Sequence, residues 1–275
     1  MEAYTGFAEV YDTFMDNTPY EDWADFLESV IKKYGISVPV PKTEEEAGEI
    51  AEDSAKALET EKNLVLDLGC GTGTLTELMA DKGYDMIGVD NSGEMLSIAM
   101  QKAEKSGNQI LYLCQDMREL DLYSTVGCIY SVCDSLNYLL EDEDMEETFR
   151  QVHNYLYPGG IFIFDFNTLY KYRDVIGDTT IAENREDCSF IWENYFYEEE
   201  HVNEYDVTIF VKEEEGSDTF RRFEETHYQR GYTKKEMEAF VKKAGMKLLL
   251  TLDADTKKAP TAKSERIYMV AGACK

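Results

Sequence analysis

The spacing of apolar residues changes character along the chain, and each change predicts a different kind of element. Between residues 20 and 35, Trp23, Phe26, Leu27, Val30, Ile31 and Tyr34 recur at i, i+3, i+4, i+7, i+8 and i+11, one face of a 3.6-residue period. Pro19 precedes this predicted helix and Gly35 stops it. Val38-Pro39-Val40-Pro41 reads as a rigid linker. Residues 43–61 carry eight acids and one base. There a Thr43/Glu46 capping box and a weak stripe at Ala47, Ile50, Ala51 and Leu58 predict a short surface helix.

From 63 to 166 short apolar runs alternate with helical patterns. Strands are predicted at 63–68, 85–89, 109–113, 126–132 and 160–166, with helices at about 73–81, 92–105 and 142–156. Ser92 caps the second of these helices and turns Met95, Leu96, Ala99 and Ala103 inward. Nearly continuous apolar strands imply helices on both faces, so the expectation is a doubly wound parallel sheet. After 185 the period falls to two. Stretches 188–197, 203–212 and 218–229 read as an inserted antiparallel sheet, most clearly where Tyr205, Val207, Ile209 and Val211 alternate with polar neighbours. Glu213 to Ser217 marks a turn within it. A Thr233/Glu236 capping box opens a last helix that stops at Gly245, and strands at 246–252 and 266–273 finish the chain. The expected organisation is an arm with its acidic insert (1–62), an α/β domain (63–185 and 231–275), and a β lid (186–230).

Charge narrows the partners. With 56 acids against 27 bases the net charge is −29. Nucleic-acid binding relies on cations that displace counterions from phosphate, and Arg221-Arg222 and Lys257-Lys258 are short and flanked by acids. Nucleic acid is therefore set aside, and the acidity reads as a solvated surface. No run of 18 apolar residues exists, and Met1 to Tyr4 shows neither the basic nor the apolar part of a signal peptide, so a cytoplasmic protein without a membrane partner is expected. The cysteines at 70, 114, 128, 133, 188 and 274 form no CxxC pair and read as free thiols. His153, His201 and His227 are too scattered to suggest a metal site.

Chemistry concentrates at the predicted strand ends. Leu66-Asp67-Leu68-Gly69-Cys70-Gly71-Thr72-Gly73 follows a strand and opens a helix, where glycines admit positive φ and free amides face an incoming ligand. Asp90, followed by Asn91, ends the second strand 21 residues after Gly69, where a carboxylate can accept from ribose hydroxyls. Gln115-Asp116-Met117 follows the third strand and suits an adenine ring. Cys133-Asp134-Ser135-Leu136-Asn137-Tyr138 follows the fourth, beside the expected topological switch.

Asp67-x-Gly69-x-Gly71-x-Gly73, Asp90-x-Ser92-xx-Met95-Leu96, Gln115-Asp116-Met117 and Leu156-Tyr157-Pro158-Gly159-Gly160 together resemble the motifs of class I S-adenosylmethionine-dependent methyltransferases. The resemblance covers about 63–166 well and the C-terminal elements more loosely. It implies a Rossmann-like seven-stranded sheet and S-adenosylmethionine as cofactor. It further implies Gly69 and Gly71 along the methionine part, Asp67 close by, Asp90 with Asn91 at the ribose, Met95 and Met117 near the adenine, and Asp116 on its amine, with Gln115 beside it. Cys133 and Asp134 would line the pocket. Tyr4-xx-Phe7-Ala8-xx-Tyr11-Asp12-xx-Met15 through Pro19-Tyr20-xx-Trp23 resembles a small-molecule subgroup, in which a leading helix closes over the cofactor. Tyr11 and Tyr20 thereby become contacts.

On this resemblance the function is methyl transfer to a small-molecule acceptor by direct in-line displacement. A sulfonium methyl is already activated, so alignment and water exclusion suffice unless the nucleophile carries a proton. No residue stands out as the base. His227 has mixed period partners in Phe223 and Glu225, and Asp165-Phe166-Asn167 is an acceptor-side polar candidate. Two other readings compete: a binding or regulatory module that holds the cofactor without turnover, and a nicotinamide oxidoreductase, from whose Gly-x-Gly-x-x-Gly loop this one departs. The aromatic-rich insert is expected over the acceptor pocket, with a packing or homodimer surface as its alternative.

Overall fold

The computed structural model describes residues 8–40, 60–214 and 216–275. The helix expected over 43–61, with its Thr43/Glu46 box, lies almost wholly outside the described residues, as do Tyr4 and Phe7. A short arm helix α1 (Ala8–Phe14) leads into α2 (Tyr20–Tyr34), which begins just after Pro19 and buries Leu27, Val30 and Ile31 on its predicted face. Strands β1 (Leu64–Leu68), β2 (Asp85–Asp90), β3 (Leu111–Cys114), β4 (Val126–Ser131) and β5 (Leu156–Asn167) pair in parallel. The last two strands of the chain, β10 (Met246–Asp253) and β11 (Arg266–Ala273), complete a seven-stranded sheet ordered β10-β11-β5-β4-β1-β2-β3, in which β11 runs antiparallel to both neighbours. The order reverses between β1 and β4, and the crevice at their carboxyl ends is where open α/β sheets take ligands.

Period two decides which strand residues meet which helices. Leu66 and Leu68 of β1 point toward α5 (Asp142–Tyr155) and α6 (Lys234–Lys243), joining Phe149, Phe162, Phe164 and Phe240 in one core layer. Val65 points the other way, into a layer with Leu27, Ile31, Met79 and Tyr130 under α2 and α3 (Thr74–Asp81). Asp67 shares that second face, so a carboxylate is carried into an apolar layer opposite Tyr130. Helix α4 (Gly93–Ser106) packs beside α3, capped by Ser92 Oγ on the Met95 amide at 3.2 Å and ended by Gly107 at φ +80°. The Pro158-Gly159-Gly160 segment, expected before the fifth strand, lies within β5. There the pairing with β4 slips from Val126↔Leu156 to Cys128↔Ile161 and leaves the segment as a bulge.

The insert is a separate antiparallel sheet of β6 (Thr180–Asn184), β7 (Cys188–Tyr197), β8 (Val202–Lys212) and β9 (Phe220–Arg230). Three of its strands match the period-two stretches to within two residues. Edge strand β6 does not appear in the pattern because it is nearly all exposed and its one large apolar side chain, Ile181, faces the open side. The inner face carries Tyr205, Val207 and Ile209 against Val10 and Phe14 of the arm, and the outer face leaves Ile191, Tyr195 and Tyr197 exposed.

Asn137 ties the two sheets together. Fully buried, it donates through Nδ2 to the carbonyls of Asn167 (2.9 Å, end of β5) and Arg230 (2.7 Å, end of β9), and its Oδ1 accepts the Asn167 amide at 2.9 Å. Asn137→Ala strands three buried backbone groups, so a loss of about 2–4 kcal/mol is expected, read as a fall of several degrees in thermal melting. An unchanged melting temperature would show that water replaces the side chain.

Candidate active site

The turn after β1 is fixed by one carbonyl. Val89 O accepts both the Gly69 amide (2.7 Å) and the Cys70 amide (3.0 Å), which pins the loop to the end of β2. The path then needs φ of +86° at Gly69 and +54° at Gly71, a region that costs other residues strain. A Cβ on Gly69 would lie 2.6 Å from Ser135 Oγ, so that glycine serves close packing. A Cβ on Gly71 would meet nothing within 4 Å: this glycine borders open space.

Asp90 sits across that space. Its Oδ2 accepts the Gly71 amide at 2.7 Å and its Oδ1 the Ser92 amide at 2.9 Å, leaving acceptor capacity on both oxygens. Burial raises its pKa against the pull of those amides. Asp67 is buried beneath the loop, where Oδ2 accepts the hydroxyls of Thr76 (2.6 Å) and Tyr130 (3.0 Å). Burial pushes it up to about 7. Asp116 forms a fork with Arg118, from Nη2 to Oδ2 at 2.6 Å and from Nε to Oδ1 at 2.9 Å, and this holds its carboxyl below the usual range. The side chain of Gln115 is closed on the backbone of Asp121, donating at 3.0 Å and accepting at 3.0 Å.

The turn after β4 is strained. Cys133 and Asp134 are consecutive non-glycine residues at φ +64° and +55°. Their two amides converge on the fully buried carboxylate of Asp165, at 3.1 and 2.8 Å. Arg266 bonds Asp134, Asp165 and Asn167 from β11. Gln229 donates to Asp134 Oδ2 at 2.8 Å and accepts the Tyr172 hydroxyl at 2.7 Å. Asp165 and Asn167, expected on the acceptor side, therefore work below the turn as its support. Burial pushes the Cys133 thiol up to about 12 and the Cys70 thiol also upward, so neither is a thiolate.

These elements enclose a cavity of about 590 Å³, within the ~300–1,000 Å³ of ordinary small-molecule sites. Tyr11, Tyr20, Asp67, Gly69, Gly71, Asp90, Asn91, Met95, Gln115, Asp116, Met117 and Cys133 all line it. Asp134 does not, because Arg266 and Gln229 draw its carboxylate away. Tyr11 and Tyr20 close one side and bond each other, and Tyr11 also reaches Cys133. The sequence reading assigned no role to Thr72, Ser135 or Tyr138, which line the cavity as well. For the last two, position just after β4 was the available signal. Thr72 Oγ1 donates to Asp12 Oδ1 of α1 at 2.7 Å, and Lys102 lies 2.6 Å from Asp12 Oδ2.

Among the described residues no group of three His, Cys, Asp or Glu side chains forms a metal site, and no helix is long and apolar enough to cross a membrane.

Known proteins match this arrangement. A family described as a methyltransferase domain matches residues 65–160, from β1 into the β5 bulge. A protein of Bacillus subtilis (strain 168) named as a candidate methyltransferase, YqeM, is 36% identical over 269 residues, covering 98% of this chain and 96% of that one. A likewise named protein of Geobacillus sp. (strain WCH70) is 33% identical, covering 98% and 99%. Among solved structures, an S-adenosylmethionine-dependent methyltransferase from Clostridium acetobutylicum ATCC 824 superposes with a TM-score of 0.80 at 28% identity, covering 99% of each chain. With sequence and fold similar over nearly their whole length, the chain belongs to the class I S-adenosylmethionine-dependent methyltransferases and is an enzyme of that family.

Proposed function

We propose that the enzyme methylates a small-molecule acceptor by direct in-line displacement. The observation that carries this reading is the enclosure of the cavity. Strand ends form its floor, Tyr11 and Tyr20 of the arm close one side, and Tyr138 joins it to the inserted sheet. A macromolecular acceptor would have to thread a single side chain or base into that space. The net charge of −29 adds a penalty for any polyanion.

S-adenosylmethionine supplies a methyl group on a positively charged sulfur, which leaves the protein the work of holding and aligning. Asp90 is the ribose acceptor, because both oxygens keep a lone pair after bonding Gly71 and Ser92. Gly71 lies along the methionine part, where the absence of a Cβ leaves room. Met95 and Met117 flank the adenine, and Asp116, oriented by Arg118, accepts from its amine. Asp67 bonds the neutral hydroxyls of Thr76 and Tyr130, so a cationic ligand favours its charged form.

Three measurements test this assignment. Asp90→Ala should weaken S-adenosylmethionine binding about a hundredfold in calorimetry, the scale of losing two hydrogen bonds to a charged group; unchanged affinity would remove Asp90 from the ribose. Gly71→Ala should cost only about 1–2 kcal/mol of stability, from its positive φ, yet reduce cofactor affinity tenfold or more. Asp67 has a folded-state pKa raised above the ~3.9 of an ordinary aspartate. Its contribution to stability is complete below that value and is lost as pH rises through about 7. Ligand-free protein should therefore lose melting temperature as pH rises from about 4 to 7, and Asp67→Asn, which cannot ionise, should flatten that part of the curve.

A further inference from the structure

The inner face of β9 carries buried polar residues beyond the Asn194–Asn203 pair that β7 and β8 bury. Where β8 turns Tyr205, Val207 and Ile209 inward, β9 turns in Glu225, His227 and Gln229, all buried. Polar residues on a face marked for burial are expected where function overrides packing. Gln229 is explained by Asp134 and Tyr172. His227 meets the turn after β4 through Tyr138, and Glu225 lies beside it.

Their geometry leads into the cavity. His227 Nδ1 is hydrogen-bonded to the Tyr138 hydroxyl at 3.2 Å, and Nε2 lies 3.2 Å from Glu225 Oε2, close enough for charge attraction but not aligned as a hydrogen bond. Tyr138 lines the cavity from the turn after β4, three residues beyond Ser135, whose Oγ lies 3.4 Å from Gly69 O. The Tyr205 hydroxyl is 2.8 Å from that of Tyr138, and the Tyr205 ring stacks on His227 at 5.0 Å. Among the described residues, Glu225 on the same strand, Tyr205 on β8 and Tyr138 from the turn are titratable groups that face His227.

We propose that Tyr138 is the catalytic residue that takes the proton from the acceptor, with His227 as the base behind it and Glu225 as the neighbouring carboxylate that stabilises the imidazolium. This rests on the methyl-transfer reading and specifies its substrate class: an acceptor whose reacting oxygen or nitrogen carries a proton. A charged Glu225 favours the tautomer with hydrogen on Nε2, which leaves Nδ1 to accept from Tyr138. The Tyr138 hydroxyl then donates to His227, and its oxygen accepts from Tyr205 and from the acceptor. As the acceptor's proton passes to the Tyr138 oxygen, the Tyr138 hydroxyl proton passes to His227 Nδ1. The pair of the broken acceptor–hydrogen bond forms the new bond to the methyl carbon, and the pair of the carbon–sulfur bond stays on sulfur. The imidazolium left beside Glu225 returns its proton to solvent.

The test needs no acceptor. N-acetylimidazole acetylates tyrosine hydroxyls in proportion to their loss of a proton, and peptide mass spectrometry reads each site. Tyr123, 99% exposed and outside the cavity, is the internal reference. In the wild-type protein the Tyr138 to Tyr123 ratio should be high, with a pH profile that inflects well below that of Tyr123. His227→Gln should lower the ratio about tenfold or more and abolish the low inflection, as expected when a general base is removed. Glu225→Gln, which keeps the ring and its packing, should lower it in the same direction and covers the case in which His227→Gln fails to fold. Equal ratios in wild type and variants, or a Tyr138 unmodified at every pH, overturn the relay. Calorimetry with S-adenosylmethionine on the same proteins keeps the two readings apart. Loss of the relay leaves cofactor binding intact, whereas absence of binding in the wild type overturns the methyl-transfer site without altering the acetylation ratio.

Discussion

The site depends on a single carbonyl oxygen that accepts two consecutive amides. By holding Gly69 and Cys70 against Val89, the end of β2 dictates where the glycine turn travels and brings Gly71 to the carboxylate of Asp90. The strand that supplies the carbonyl also supplies the acid one residue later. Loop and acid therefore share one rigid origin, and error in one is carried by the other. Only a turn free of β-carbons at Gly69 can take this path, since Ser135 stands 2.6 Å from where one would be.

The turn after β4 solves a similar problem without glycine. Two left-handed residues cost of order 1–3 kcal/mol each. Two amides donated to a charged acceptor return about 1.5–3 kcal/mol each, so the strain at Cys133 and Asp134 is met by Asp165. The buried Asp165 is in turn met by Arg266 from a strand at the far end of the chain. This explains why the polar residues at the end of β5 are spent on architecture: Asp165 holds the turn, and Asn167 meets Asn137.

Much of this was legible in sequence because the informative residues sit at fixed offsets from strands. Asp67, Asp90, Gln115 and Cys133 fall at the carboxyl ends of consecutive parallel strands, and such ends converge by topology alone. Legibility failed wherever the deciding partner was distant. Asp134 read as a pocket residue because Arg266, 132 positions away, is invisible from its neighbours. In sequence His227 is weighed as a base and set aside on its period partners, since Tyr138, which it meets, lies 89 positions before it. Edge strand β6 failed for a different reason: a strand without a buried face has no period to detect.

Helix α1 has a consequence for how the two sides of the cavity communicate. Its Asp12 bonds Thr72 of the glycine turn, its Val10 belongs to the apolar layer under the inserted sheet, and Asp16, two residues beyond its end, pairs with Arg185 between β6 and β7. Seven residues thus carry contacts to both walls. Any ligand that shifts the arm at one wall must shift it at the other, and such coupling is reciprocal in free energy. Occupancy at the glycine turn and occupancy under the β-sheet are, through α1, terms of one equilibrium.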